Sequence, residues 1–216
     1  MSEFIVHGIP GSPFMRAVAA TLEEKGAPYR IQALQMGEAR GEAYRRLHPF
    51  SRIPALQHGD FTLYETQAIL RYIDSVIPAP ALQPAEPRAA ARMNQLMGIN
   101  DWYFFPQVGV PVVFQRVVGP VITGAKPDEA IIAAAQPNAA NCVRVINDIL
   151  GDQTFLTGDT LSLADLLLFP QLDYFGQCPE GRALMGGTAL GAWVQRMAGR
   201  PSMQATLPPE ALRLAV

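Results

Sequence analysis

Residues 47–72, LHPFSRIPALQHGDFTLYETQAILRY, decide how the first third of this chain is read. Two short apolar runs, residues 55–58 and 61–65, flank Gly59-Asp60, a two-residue hairpin signal. Pro54 opens the first run, at the strand position where a missing N–H is tolerated. After the second run Thr66 is a favoured N-cap, and Ala68, Ile69, Tyr72, Ile73 and Val76 recur at helical spacing. The segment reads strand, turn, strand, helix. A strand edge that begins at a proline then lies beside a helix N-terminus with free amide donors. Such a pair forms a receptor for a peptide-like molecule carrying a carboxylate.

Upstream, residues 3–7 make a short apolar strand that runs into the turn Gly8-Ile9-Pro10-Gly11. Ser12-Pro13 starts a helix, with serine as N-cap and proline at the first helical position. Phe14, Val18 and Leu22 mark one face of it, and Gly26 ends it. Residues 29–34 alternate as a second strand, with Tyr29, Ile31 and Ala33 on one side. Residues 38–47 form a short irregular helix carrying Arg40, Arg45 and Arg46. The order is β-α-β-α-β-β-α. Ser12 has two roles open to it. It can cap the helix, or its hydroxyl can point at a bound thiol, where a hydroxyl donor and the helix dipole would favour the thiolate.

Downstream, Pro78, Pro80, Pro84 and Pro87 punctuate a stretch that holds neither a regular helix nor a central strand. This divides the chain into residues 1–78, a linker at 79–88, and a helical part at 89–216. Within it, residues 89–118 are helical, with Pro106 and Pro111 expected to bend or split them. Trp102, Tyr103, Phe104 and Phe105 read as core aromatics. Pro127-Asp128-Glu129 starts a helix with proline first and both acids in its first turn; the helix runs to 150, and Pro137 is expected to kink or interrupt it. In residues 155–165, FLTGDTLSLAD, Ser162 and Asp165 fit a capping box ahead of a helix buried nearly all round. Residues 189–199 are a further helix, and Pro208-Pro209 lie in a tail that either closes over a pocket or frays.

Three separated motifs carry a family resemblance. SPFMRAVAATLEEKGAPYR, the Ile53-Pro54 hairpin ending at Glu65-Thr66, and Leu-Ser-Leu-Ala-Asp at 161–165 resemble the cytosolic glutathione transferases. The resemblance implies an α/β thioredoxin-like domain that binds glutathione, followed by an all-α domain that shapes a hydrophobic-substrate pocket. It implies that Ser12 is catalytic, as in the serine-type (phi, tau, theta and zeta-like) members. Ile53 would pair with the cysteinyl main chain beside a cis Pro54. Glu65 and Thr66 would hold the γ-glutamyl end, and Arg40 or Arg52 the glycyl carboxylate. Phe14, Tyr103, Phe104 and Gln107 would line the pocket, and Asp101 would reach a partner subunit. The His-Lys pair of phi-like members is here Ala39-Arg40. The serine at position 12 disfavours the disulfide exchange of cysteine-bearing members, and the motif of the zeta-like isomerases is absent.

Composition narrows the remainder. A net charge of −2 and a pI near 5.9 argue against a nucleic-acid surface and give no reason to expect an anionic membrane. The N-terminal MSEFIVHG lacks the features of a secretory signal, and no apolar run reaches the ~18 residues that span a bilayer. Cys142 and Cys178 form no pairing motif and fit structural thiols in a reducing cytoplasm. His7, His48 and His58 lack metal-ligand spacing, so no metal is expected. Only Lys25 and Lys126 are lysines among the 17 lysines and arginines, a bias that suggests a GC-rich genome, and the resemblance is to a phi/theta-like bacterial member. Charged residues are only 17%, which fits a homodimer that hides part of its surface. The expectation is a cytoplasmic glutathione transferase acting on a hydrophobic electrophile. The alternatives are a glutathione-dependent peroxidase and a non-catalytic ligand-binding or interaction protein on the same scaffold.

Overall fold

The computed structural model describes residues 3–35 and 37–214, so the outer bounds of the two expected parts, residues 1 and 216, lie outside the described residues. Strand β1 (Phe4–Gly8) alternates buried and half-buried residues, with Phe4, Val6 and Gly8 inward. It pairs in parallel with β2 (Tyr29–Ala33) and antiparallel with β3 (Ala55–His58). β3 turns through Gly59, at φ 64°, into antiparallel β4 (Phe61–Tyr64), giving the sheet order β2-β1-β3-β4. The alternation that marks β2 in the sequence is not matched by one-sided burial. Arg30, Ile31, Gln32 and Ala33 are all exposed, and β2 is an edge strand of the sheet.

Helix α1 (Pro13–Glu24) is sandwiched between β1 and α7 (Leu163–Gln177). It therefore buries the unbroken run from Met15 to Leu22 and not the single stripe expected of a surface helix. A 3₁₀ turn at Glu38–Arg40 and the short α2 (Glu42–Arg45) follow β2, matching the irregular helix expected there. After β4, α3 (Thr66–Val76) packs on α1.

Residues 79–88 are tied down. The Leu82 amide donates to Asp74 Oδ1 at 2.8 Å, its carbonyl accepts from the Leu163 amide at 3.0 Å, and Lys25 Nζ donates to the Pro80 carbonyl. Lys25 also pairs with Asp74 at 2.5 Å. The buried apolar residues form one continuous cluster from Phe4 and Val6 to Trp193 and Met203.

The helical part begins with α4 (Pro87–Ile99), capped by Glu86, which accepts from the amides of Arg88 and Ala89. The chain stays helical through π-wound Asn100–Val118 and α5 (Gly119–Thr123). Pro106 and Pro111 do not split it. An α-helical proline clashes with the carbonyl four residues back, and the wider π turn relocates that carbonyl. The run Pro87–Thr123, 37 residues with an 18-residue window of mean hydropathy 1.2, is long and apolar enough to cross a membrane by length and composition alone. This departs from the sequence expectation. Its Met93, Leu96, Phe104, Val108 and Val112 lie in the core, and it packs on α6 and α7 as a core helix.

Helix α6 (Glu129–Leu150) starts two residues later than the Pro127 expected as its first residue. Asp128 sits at the cap and not in the first turn, and its carboxylate takes the amides of Ala130 and Ile131. Two satisfied amides outweigh the benefit of a proline in the first turn. Pro137 lies inside α6 without ending it, on the exposed side. The capping box at Ser162 forms, and α7 is buried nearly all round. α8 (Pro179–Met185), α9 (Ala189–Ala198) and α10 (Pro201–Ala205) complete the layer. The tail is anchored as far as it is described: Pro208 is buried, and the Leu214 amide donates to Gln177 Oε1 at 2.9 Å.

Candidate active site

Register places the candidate residues at one end of the sheet. His7 of β1 is paired with Ala55 of β3, and Ala55 with Tyr64 of β4. The chain leaving β1 therefore leads to Ser12 beside the chain entering β3 through Ile53-Pro54. The chain leaving β4 leads to Glu65 and Thr66 at the same end. β2 runs parallel to β1, with Gly8 opposite Ala33, so its exit toward Arg40 opens there too. A Cβ on Gly8 would stand 3.3 Å from the Ile53 Cβ, which shows how closely β1 and the proline turn approach.

The polar groups at this end are largely uncommitted. Ser12 occupies the N-cap of α1 with φ −60° and ψ 131°, yet its side chain makes no cap hydrogen bond. Helix α3 begins at Thr66, with Glu65 in the cap position and no side-chain cap, so Thr66 is not the N-cap expected from sequence. The first backbone bond there runs from the Ile69 amide to the Glu65 carbonyl. The amides of Thr66, Gln67 and Ala68 precede that bond, and a helix N-terminus with such amides attracts anions. Ile53-Pro54 is a cis peptide. Glu65 has φ 69° and Ser51 φ 55°, sparsely populated conformations for non-glycine residues that concentrate at functional sites. Arg40 and Arg52 are exposed and make no side-chain pair among the described residues. Their neighbours Arg45 and Arg46 are engaged, with Ser51 and Glu42 respectively.

Beneath this end lies His48, 2% exposed and 4.8 Å from the Tyr64 ring. Burial pushes its pKa below the ordinary 6.5; Glu65 opposes that and Arg52 adds to it, so the ring is neutral at pH 7. Tyr44 is buried and donates to the Arg52 carbonyl at 2.8 Å, steadying the approach to Ile53. Cys178 is buried, which pushes its thiol up to about 12, and Cys142 is raised for the same reason. Neither is a reactive thiol.

The aromatic residues divide differently from the expectation. Phe104 is wholly buried, edge-on to Phe175, so it does not line a pocket. Phe105 meets Phe14, two residues after Ser12 in the first turn of α1, edge-to-face with centroids 4.8 Å apart. Tyr103 is 54% exposed and Gln107 half-buried. Sequence reasoning missed Phe105, since a run of four aromatics shows that some face inward without showing which. It also missed Gln67, whose amide donates to Asp101 Oδ2 at 2.7 Å, so that Asp101 is engaged within its own chain.

Comparison with known proteins accords with this geometry. The family model described as "Glutathione S-transferase, N-terminal domain" matches residues 2–75, and "Glutathione S-transferase, C-terminal domain" matches residues 129–196. The chain is 32% identical to glutathione S-transferase 3 of Zea mays over 220 residues, covering 97% of each. A structure of glutathione S-transferase III in apo form superposes with a TM-score of 0.83 at 30% identity, covering 96% of this chain and 99% of that one. Glutathione S-transferase-I bound with the ligand lactoylglutathione gives 0.83 at 25% identity, with coverage of 94% and 97%. The thioredoxin-like sheet domain and the helical domain are those of such structures. The chain thus belongs to the glutathione S-transferase family, as an enzyme that takes glutathione as its co-substrate.

Proposed function

We propose that Ser12 holds the glutathione sulfur as a thiolate for attack on a hydrophobic electrophile, which makes this a serine-type transferase of the phi or theta kind. One observation carries the reading: the Ser12 hydroxyl stands at a helix N-terminus and is not spent on the cap. A hydroxyl donor and the positive end of α1 both favour the anion over the thiol. The thiol proton leaves to solvent. The sulfur lone pair forms a carbon–sulfur bond, and the electrophile expels its leaving group or, in an addition, takes up a proton.

The remaining assignments follow the same logic of uncommitted groups. Ile53 pairs main chain to main chain with the cysteinyl unit beside Pro54. Glu65 takes the γ-glutamyl ammonium, and Thr66 at the start of α3 takes its carboxylate. Arg40 and Arg52 supply positive charge for the glycyl carboxylate; an arginine binds a carboxylate bidentately where a lysine offers a point charge. Phe14, Tyr103 and Gln107, joined by Phe105, face the electrophile. The protein acts in the cytoplasm as a homodimer, supported by exposed Phe50 (69%) and Trp102 (77%), large aromatics that a partner would cover. Residues 1–78 form the glutathione-binding domain, 79–88 the connection and 89–216 the pocket domain.

Calorimetric titration of glutathione, with turnover of a chromogenic electrophile measured alongside, tests the assignment. Ser12→Ala should bind glutathione within about threefold of the parent and lose roughly 10²-fold in kcat, the scale for removing one donor to a reacting anion. Unchanged turnover would overturn it.

A further inference from the structure

We propose that Tyr174, a residue of the helical domain on α7, is a positioning residue for Ser12. This deepens the reading above and rests on Ser12 being the thiolate donor. The Tyr174 hydroxyl donates to the Gly11 carbonyl at 2.5 Å, across 163 positions of sequence. That carbonyl and the Ser12 amide belong to one planar peptide unit. The Ser12 amide is itself fixed on the Ile9 carbonyl at 3.1 Å. Both polar ends of the unit are therefore held, and the Cα from which the Ser12 hydroxyl projects lies in its plane.

Other contacts hold the same turn. Gly11 has φ 90°, and a Cβ there would collide with Leu212 and Pro209 of the tail and press on the Tyr174 hydroxyl, so the tail closes directly over the turn. Arg16, one helical turn beyond Ser12, donates its amide to the Ser12 carbonyl at 3.0 Å. Its buried guanidinium reaches Asp173 Oδ2 at 2.7 Å and the Thr206 carbonyl at 2.8 Å. Asp173 and Tyr174 are consecutive on α7, so one stretch of that helix grips the chain on both sides of Ser12. Tyr174 is 1% exposed, and burial pushes its hydroxyl up to about 12, which keeps the donor protonated at any working pH. The helical domain thus sets the orientation of the Ser12 hydroxyl, and with it the acidity of the bound thiol.

The test is Tyr174→Phe, which removes one oxygen and keeps the packed ring, compared with Ser12→Ala and the double variant in pH profiles of kcat and KM. The expected result for Tyr174→Phe is a roughly tenfold loss of kcat with KM for glutathione within about twofold. The acid limb of the profile should move up by about half to one pH unit. In the Ser12→Ala background the same change should have no further effect on that limb. Leu212→Ala, which loosens the turn from its other side, should move the limb in the same direction by less. This second variant decides the matter if Tyr174→Phe does not fold. An unmoved limb in Tyr174→Phe and in Leu212→Ala, with Ser12→Ala shifting it, would overturn the positioning role alone. An unmoved limb in Ser12→Ala would overturn the Ser12 assignment on which it rests.

Discussion

Two serines at helix starts show how this chain separates folding from chemistry. Ser162, ahead of α7, is wholly buried: its hydroxyl and amide both donate to Asp165 Oδ2, at 2.7 and 2.9 Å. The other carboxylate oxygen takes the Leu156 amide and the Trp193 indole N–H. Ser12, ahead of α1, is half-buried with no such bond. The two residues share a local sequence preference and differ in whether the hydroxyl is spent. A spent hydroxyl stabilises the fold, and an unspent one is available to a ligand.

The largest expected effect lies on the buried side of this contrast. Asp165→Ala leaves several buried donors without a partner, each costly, and should destabilise the protein by roughly 3–5 kcal/mol in urea unfolding. Ser12→Ala should change unfolding by less than about 0.5 kcal/mol, since the hydroxyl makes no hydrogen bond among the described residues. Comparable losses in the two variants would break the distinction.

Next in size is the Lys25–Asp74 pair at the C-terminal ends of α1 and α3, both side chains nearly inaccessible. Burial pushes the Asp74 carboxyl up from its usual 3.8, but Lys25, Gln83 and the Leu82 amide together more than offset it and hold it lower. A carboxylate depressed in the folded state stabilises above its unfolded pKa, and that stability is lost as pH falls through the folded value. Unfolding free energy should therefore decline below about pH 4. Asp74→Asn should flatten this decline and cost about 3 kcal/mol at pH 7, because it leaves Lys25 buried without its counter-charge. An unaltered acid limb of the stability curve would contradict this.

The aromatics carry the same contrast from stability into substrate binding. Phe105→Ala should raise KM for the electrophile several-fold at a cost below about 2 kcal/mol, being only partly buried. Phe104→Ala should cost about 3–5 kcal/mol with little change in KM. Reversed results would show that the pocket wall is Phe104 after all.

The strands, the Gly59-Asp60 hairpin and the Ser162–Asp165 box were legible because each is written in neighbouring residues. The roles proposed for Ser12, Pro54 and the Glu65-Thr66 pair come from the family resemblance, while their placement at element ends was legible in the same way. Three things were not. The facing of Phe104 and Phe105 depends on π winding, which shifts each residue around the axis relative to an α-helix. The cap of α6 depended on a competition between Pro127 and Asp128 that only the bonded geometry decides. The grip of Tyr174 on Gly11 joins residues 163 positions apart and leaves no local signal.

The most direct test reads the thiolate itself, by ultraviolet difference absorbance of bound glutathione as pH is varied. In the parent enzyme the bound thiol should ionise about two units below the ~8.5 of a free cysteine, and in Ser12→Ala it should return toward that value. The same midpoint in both proteins would contradict the role given to Ser12.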